Sequence, residues 1–258
     1  MTKFEHADIL DLLGGDIDDN AVMRLVFECL ISGIDDDRVV SLMNLIGWRG
    51  SFSCFALGGT PADSMGATFT QISSAVRDFG GSHAIFGMYG RFVIACIELE
   101  AAVSPEIVCT AALPAFAQSE AVYLSPVREG VPGASHAVRE TLFSLQAAQS
   151  RPLRADELLP ERALLGDEVA REELYRNVYL VLHGDNEDDP SYITVSTFLR
   201  HGGSLEATAK ELNVHPNTVR YRLKKAAETT GWDATNPRDA FVLNTAIALG
   251  RMREAGVR

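Results

Sequence analysis

Much of what marks an enzyme, a secreted protein or a membrane protein is missing from this chain of 258 residues. No apolar run approaches the ~20 residues needed to cross a bilayer, and the N-terminus lacks the shape of a signal peptide. Cysteine is scarce, and Cys29, Cys54, Cys96 and Cys109 stand far apart in apolar segments. That pattern predicts buried free thiols in a reducing cytoplasm and argues against a disulfide framework. The six histidines, His6, His83, His136, His183, His201 and His215, are dispersed with no pair at metal-ligand spacing. No Gly-rich loop with Lys-Ser/Thr follows a strand to cradle phosphates, and no Gly-x-Ser-x-Gly elbow is present. No internal repeat is visible. The expectation is therefore no enzyme, no metal, no cofactor and no membrane contact.

Basic residues are also in deficit, 23 Lys+Arg against 35 Asp+Glu, a net charge of −12. As a bulk property this argues against nucleic acid as a partner, but the charge is unevenly spread. Residues 191–258 carry 10 Lys+Arg against 6 Asp+Glu, net +4, whereas residues 1–190 carry 13 against 29, net −16. Only the C-terminal quarter can approach phosphates favourably. With 47% hydrophobic and 22% charged residues, the chain is long enough for two small domains.

Within that quarter, Leu205, Ala209 and Leu212 recur at helical spacing. Asn213 suits the left-handed end of a helix. Pro216 suits the first position of the next, whose inner face is Val219, Leu223, Ala226 and Ala227. Two helices joined by three to four residues form a helix-turn-helix, whose second helix can enter the DNA major groove. On its outer face stand Asn217, Tyr221 and Lys224, with Arg220 and Lys225 on the flanks. Asn can pair with adenine and Arg with guanine, while Lys and Tyr can hold phosphates. The expected contacts to double-stranded DNA are Asn217, Thr218, Arg220, Tyr221 and Lys224, with Pro216, Arg222 and Lys225 in support. Arg222 lies nearer the buried side, so a phosphate or an internal carboxylate is expected for it. His215, at the N-cap, is expected to be structural. A solvated basic face on a plain helical bundle is the alternative that the turn spacing and asymmetric charge disfavour.

The segment Gly202–Ala209, then Val214-His215-Pro216-Asn217-Thr218-Val219-Arg220-Tyr221-Arg222-Leu223, then Thr230-Gly231, resembles the C-terminal domain of PucR/CdaR-type bacterial transcription regulators. The likeness runs from about Tyr192 to Met252 and is nearest to actinobacterial regulators of fatty-acid synthesis genes. It implies a homodimer, a middle domain that senses a ligand or dimerises, and an acyl-CoA as one effector class.

Upstream, residues 1–47 read as a helical lead-in, with apolar stripes over Ala21–Gly33 and Asp36–Ile46. Residues 48–128 follow the order β-α-β-β-α-β of ferredoxin-like and nucleotide-cyclase-like folds. Its strands are expected over 51–57, 84–88, 92–97 and 121–124, with helices over 68–79 and 105–116, the second capped by Ser104. This matches the degenerate GGDEF-like domain of PucR/CdaR relatives. An active cyclase would place carboxylates in the hairpin, which here reads Met88-Tyr89-Gly90-Arg91-Phe92, and Gly58-Gly59 end the first strand. Without carboxylates nothing holds Mg²⁺, so cyclase chemistry is not expected. Gly14-Gly15-Asp16-Ile17-Asp18 precedes any strand and is read as a helix stop and cap. Residues 129–190 form a helical connector, with helices over 136–149 and 167–183 and breaks at Arg151–Arg154 and Leu159-Pro160-Glu161. They end in an acidic hinge, Gly184–Pro190. Residues 191–258 form the helix-turn-helix domain, closed by a largely apolar helix from Asn236-Pro237. The predicted class is α+β: a degenerate GGDEF-like α/β sandwich flanked by helices, plus an all-α helix-turn-helix domain. The other function class is a nucleotide- or acyl-CoA-binding receptor acting through protein–protein contacts.

Overall fold

Strands buried at six consecutive positions must be covered on both faces, and two strands of this protein are of that kind. The computed structural model describes residues 19–100, 104–147, 158–184 and 189–256. The chain divides into two units, 1–142 and 143–258. The Gly14–Asp18 and Arg151–Arg154 stretches lie outside the described residues, as do 185–188 of the acidic segment.

The first unit opens with helices α1 (Asp19–Ile31) and α2 (Asp37–Leu45). Then come β1 (Ser53–Gly59), α3 (Met65–Asp78), β2 (Ala84–Tyr89), β3 (Phe92–Glu98), α4 (Pro105–Ala112) and β4 (Val122–Leu124). The sheet runs β2-β3-β1-β4, with every pairing antiparallel. This is the split β-α-β arrangement that the element order predicts. A two-residue strand, β5 (Arg128–Glu129), pairs with the start of β1.

The two faces of the sheet differ in side-chain size. Phe55 and Leu57 of β1, with Val93, Ala95 and Ile97 of β3, pack against Ile72 and Val76 of α3 and Val108 of α4. The opposite face carries Cys54, Ala56, Gly58, Ile94 and Cys96, all buried. On that side lie α1 and α5 (Gly130–Ala147). A Cβ added to Gly58 would stand 2.8 Å from Thr141 Cγ2, and one on Gly87 only 2.0 Å from the Phe27 ring. The small residues let the helices sit close. A Cβ on Gly59 would likewise stand 2.7 Å from the Phe116 ring. Both glycines of the pair thus stand where close packing leaves no room for a Cβ.

Several local expectations are corrected. Helix α5 begins at Gly130, not His136, because Pro132 falls in its first turn, where a missing N–H costs nothing. Ser104 takes the N-cap position of α4 as expected, but its hydroxyl makes no cap bond to a backbone N–H and donates instead to the Glu106 carboxylate at 2.9 Å. Helix four ends at Ala112 and tightens into a 3₁₀ turn, Leu113–Ala115. Leu159-Pro160-Glu161 opens helix α6 (Leu159–Leu165) where a break was expected, with Pro160 in the first turn.

The second unit continues with α7 (Glu168–Glu173), a π-helical turn (Leu174–Tyr179) and α8 (Leu180–His183). It is completed by α9 (Pro190–Arg200), α10 (Leu205–Glu211), α11 (Pro216–Thr230) and α12 (Pro237–Glu254). One hydrophobic core runs through all of it, from Leu159, Leu174 and Tyr179 to Val219, Leu223, Val242 and Ile247. The helices at 159–183, read from sequence as a connector, thus share a core with the helix-turn-helix. Gly250 of α12 admits the Tyr179 ring; a Cβ there would lie 2.3 Å from it. Arg238 of α12 bonds Glu161 of α6 through two nitrogens (2.5 and 2.7 Å), and Arg253 reaches Glu172 of α7 at 2.6 Å.

Candidate nucleic-acid interface

Each end of the helix-turn-helix is closed by its own residues. Ser204 Oγ accepts the Ala207 N–H at 3.2 Å to start α10. Asn213 ends it at φ 52°, the one non-glycine residue with positive φ among those described. The Val214 N–H then returns to the Ala209 carbonyl at 3.0 Å. His215 Nδ1 accepts the Asn217 N–H at 3.1 Å, so the ring is the N-cap of α11, and Pro216 takes the first helical position. Gly231, at φ 80°, stops α11 by donating to the Ala227 carbonyl. The turn is held from outside as well: Arg200 and His201, at the end of α9, both contact Glu211 of α10.

Packing leaves one face of α11 free. Val219, Leu223 and Ala226 face the core with Val195 and Phe198 of α9. Asn217, Arg220, Tyr221, Lys224 and Lys225 are exposed, Tyr221 by 68% despite its ring. Pro216, Thr218 and Arg222 are half-buried. Arg222, for which a phosphate or carboxylate was expected, donates to the Thr194 hydroxyl of α9 at 3.4 Å. Lys224 lies 3.8 Å from Glu228, an exposed i,i+4 pair of little energy. Arg220 Nη1 donates to Asn217 Oδ1 at 2.9 Å, which ties two of the expected base-reading residues together.

The first unit holds features that the sequence hid. A cavity of about 520 Å³ lies along the end strand β2, lined by Met23, Phe27, Met65, Phe69, Phe86 and Met88 among others. Its walls come from α1, α3 and β2, so no local spacing could announce it. His83 Nδ1, Glu98 and Glu100 bring metal-ligand atoms within 4.8 Å of one another. Those atoms also hydrogen-bond one another and Ser82: His83 meets Glu98 at 2.9 Å, and Ser82 Oγ meets both His83 (2.7 Å) and Glu100 (2.6 Å). The Ser82 hydroxyl and N–H hold the Glu100 carboxyl below its usual range. The β2–β3 hairpin turns at Gly90 (φ 58°) and Arg91, which pairs with Glu120 at 3.1 Å. The four cysteines are free thiols; Cys54 and Cys96 are buried, Cys29 and Cys109 half-buried. A hydrogen bond between the Cys96 thiol and Cys54, and after it burial, push the Cys96 thiol pKa up. No helix is long and apolar enough to cross a membrane among the described residues.

A short capped helix, a left-handed turn residue and a second helix with a polar outer face define a helix-turn-helix domain. Residues 192–249 match the PucR C-terminal helix-turn-helix domain. The crystal structure of a regulator of polyketide synthase expression from Bifidobacterium adolescentis is 66% identical, with a TM-score of 0.87 over 91% of this chain and 99% of that one. The chain belongs to the family of PucR-type regulators. Uncharacterized proteins of Mycobacterium tuberculosis and Mycobacterium bovis are 32% identical over 249 residues, 91% of this chain but 59% of their own length. The carbohydrate diacid regulator of Escherichia coli is 38% identical over 60 residues, 23% of this chain and 16% of its own. The chain thus spans about three-fifths of the mycobacterial relatives.

Proposed function

We propose that this protein is a cytoplasmic, non-enzymatic transcription regulator that binds double-stranded DNA as a homodimer, with α11 in the major groove. The observation that carries the reading is the exposed polar face of α11, set on a turn that its own caps hold rigid. Asn217, Arg220 and Tyr221 meet bases or the groove wall, and Lys224 and Lys225 meet phosphates. Thr218, Pro216 and Arg222 set the helix's position. One small helix-turn-helix makes few contacts, so paired half-sites are the natural target. The likeness to a regulator of polyketide synthase expression directs the search for targets to genes of acyl-chain assembly, fatty-acid synthesis among them.

The first unit serves as the sensing or dimerising part, residues 48–128 being its GGDEF-like core and 1–47 the lead-in. In its favour as a sensor stands the methionine- and phenylalanine-lined cavity, which suits an apolar effector; an acyl-CoA is the class the family likeness suggests. The test is duplex binding by the full chain across a salt series. A steep linear fall of log affinity with log salt is expected, with Lys224→Ala reducing the slope by about 1 and leaving the melting temperature unchanged. Binding insensitive to salt, or no binding at low salt, would remove the reading in favour of a receptor that works through protein contacts.

A further inference from the structure

The two side chains best placed to read bases are bonded to each other, and that decides what they can read. We propose that Asn217 and Arg220 act as one composite reader of guanine that rejects adenine; the inference rests on the DNA-binding reading above. Arg220 Nη1 donates to Asn217 Oδ1 at 2.9 Å. A guanidinium carries no acceptor, so the amide oxygen must be the atom that faces Arg220, and the amide NH₂ points the other way. The Asn217 backbone N–H is already engaged by His215 Nδ1 at 3.1 Å, which holds the residue at the helix start.

An asparagine that pairs with adenine accepts from N6 and donates to N7. Here the acceptor is turned along the helix toward Arg220, so the outward edge of the pair consists of donors: the amide N–H groups and the remaining guanidinium N–H groups. Guanine presents two acceptors in the major groove, N7 and O6, whereas adenine and cytosine each present an amine donor. Donor would meet donor at either of the latter. The helix supplies no carboxylate nearby to accept from those amines: its sole one is Glu228, two turns beyond Arg220 and beside Lys224 at 3.8 Å, which leaves only the Thr218 and Tyr221 hydroxyls as other side-chain acceptors at this end. The i,i+3 bond also holds both side chains in place before DNA arrives, which lowers the ordering cost of binding. Asn217 is thus a specificity-determining residue through its NH₂, and Arg220 determines which way that NH₂ points.

The test is selection of binding sites by the full chain from a duplex pool with a randomised centre, with Asn217→Asp and Arg220→Ala run in parallel. Asn217→Asp keeps an oxygen toward Arg220 and replaces the outward NH₂ with a second acceptor. A carboxylate suits the first turn of a helix, so the fold is retained, as a melting curve will verify. The wild type is expected to enrich guanine at one position of each half-site by roughly 5- to 150-fold over other bases. Asn217→Asp should move that position to cytosine or adenine, and Arg220→Ala should flatten it. Wild-type enrichment of adenine at the position altered by Asn217→Asp, or a motif that Asn217→Asp leaves unchanged, overturns the composite reader while DNA binding stands. A pool in which the wild type enriches no sequence contradicts the DNA-binding reading and the inference with it.

Discussion

The sheet unit and the helical unit use their least ordinary residues in opposite ways. In the first, Gly58, Gly59 and Gly87 stand where a neighbouring side chain needs the space of a Cβ, and the hairpin that carries chemistry in cyclases ends in Gly90-Arg91. In the second, the special positions, Asn213 at φ 52° and His215 as a ring N-cap, hold the turn from which α11 and its exposed polar side chains begin. The sheet's distinctive residues are buried for packing, whereas the polar side chains of α11 stand exposed. The same motif-level signal, a glycine pair or an asparagine, therefore has to be weighed by what surrounds it.

The sharpest way to break the helical side of this comparison is through its buried ion pair. Arg162 contacts Asp167 at 2.8 Å with both side chains almost wholly buried, and Asp167 in turn accepts the Val169 N–H at 3.0 Å to start α7. Arg162→Ala leaves a buried carboxylate without its cation and is expected to cost about 3–5 kcal/mol in urea unfolding. A loss under 1 kcal/mol would show that the helices at 159–183 contribute little to the core they share with α11.

On the sheet side, Gly87→Ala forces a methyl into the ring of Phe27, itself almost fully buried. Overpacking of that kind typically costs about 1–3 kcal/mol, read as a lowered midpoint of thermal unfolding. Because Phe27 and Gly87 both line the β2 cavity, the variant should also change its shape. An unchanged midpoint would mean that α1 sits further from β2 than the geometry has it.

Smaller still is the effect expected at the turn. Asn213→Val places a β-branched residue in the left-handed region at a cost of about 1–2 kcal/mol. Its effect on DNA affinity should exceed that of an exposed change on α10, because the turn sets the angle of α11. Asn213→Gly should be tolerated.

Much of this could be read from residues alone, and for identifiable reasons. The order of strands and helices follows from apolar periodicity, and the two helices of the turn follow from Asn213 and Pro216, whose backbone preferences are intrinsic. Helix starts with proline in the first turn were harder: Pro132 and Pro160 look like breakers unless it is known which residue carries the first helical φ. What no local pattern could disclose is contact across long stretches of chain. Arg238 meets Glu161 across 77 positions, and the cavity draws on α1, α3 and β2 at once. The helical wheel places Asn217, Arg220, Tyr221, Lys224 and Lys225 on the outer face, where they are exposed, yet the wheel could not show that Arg220 turns the Asn217 amide.

The most direct measurement is methylation interference on a selected duplex bound by the full chain. Dimethyl sulfate marks guanine at N7 in the major groove and adenine at N3 in the minor groove. If α11 lies in the major groove with its donor edge on guanine, N7 methylation should abolish binding at one guanine in each half-site, and Arg220→Ala should erase that sensitivity. Interference confined to adenine N3, or equal in the wild type and Arg220→Ala, would contradict the account.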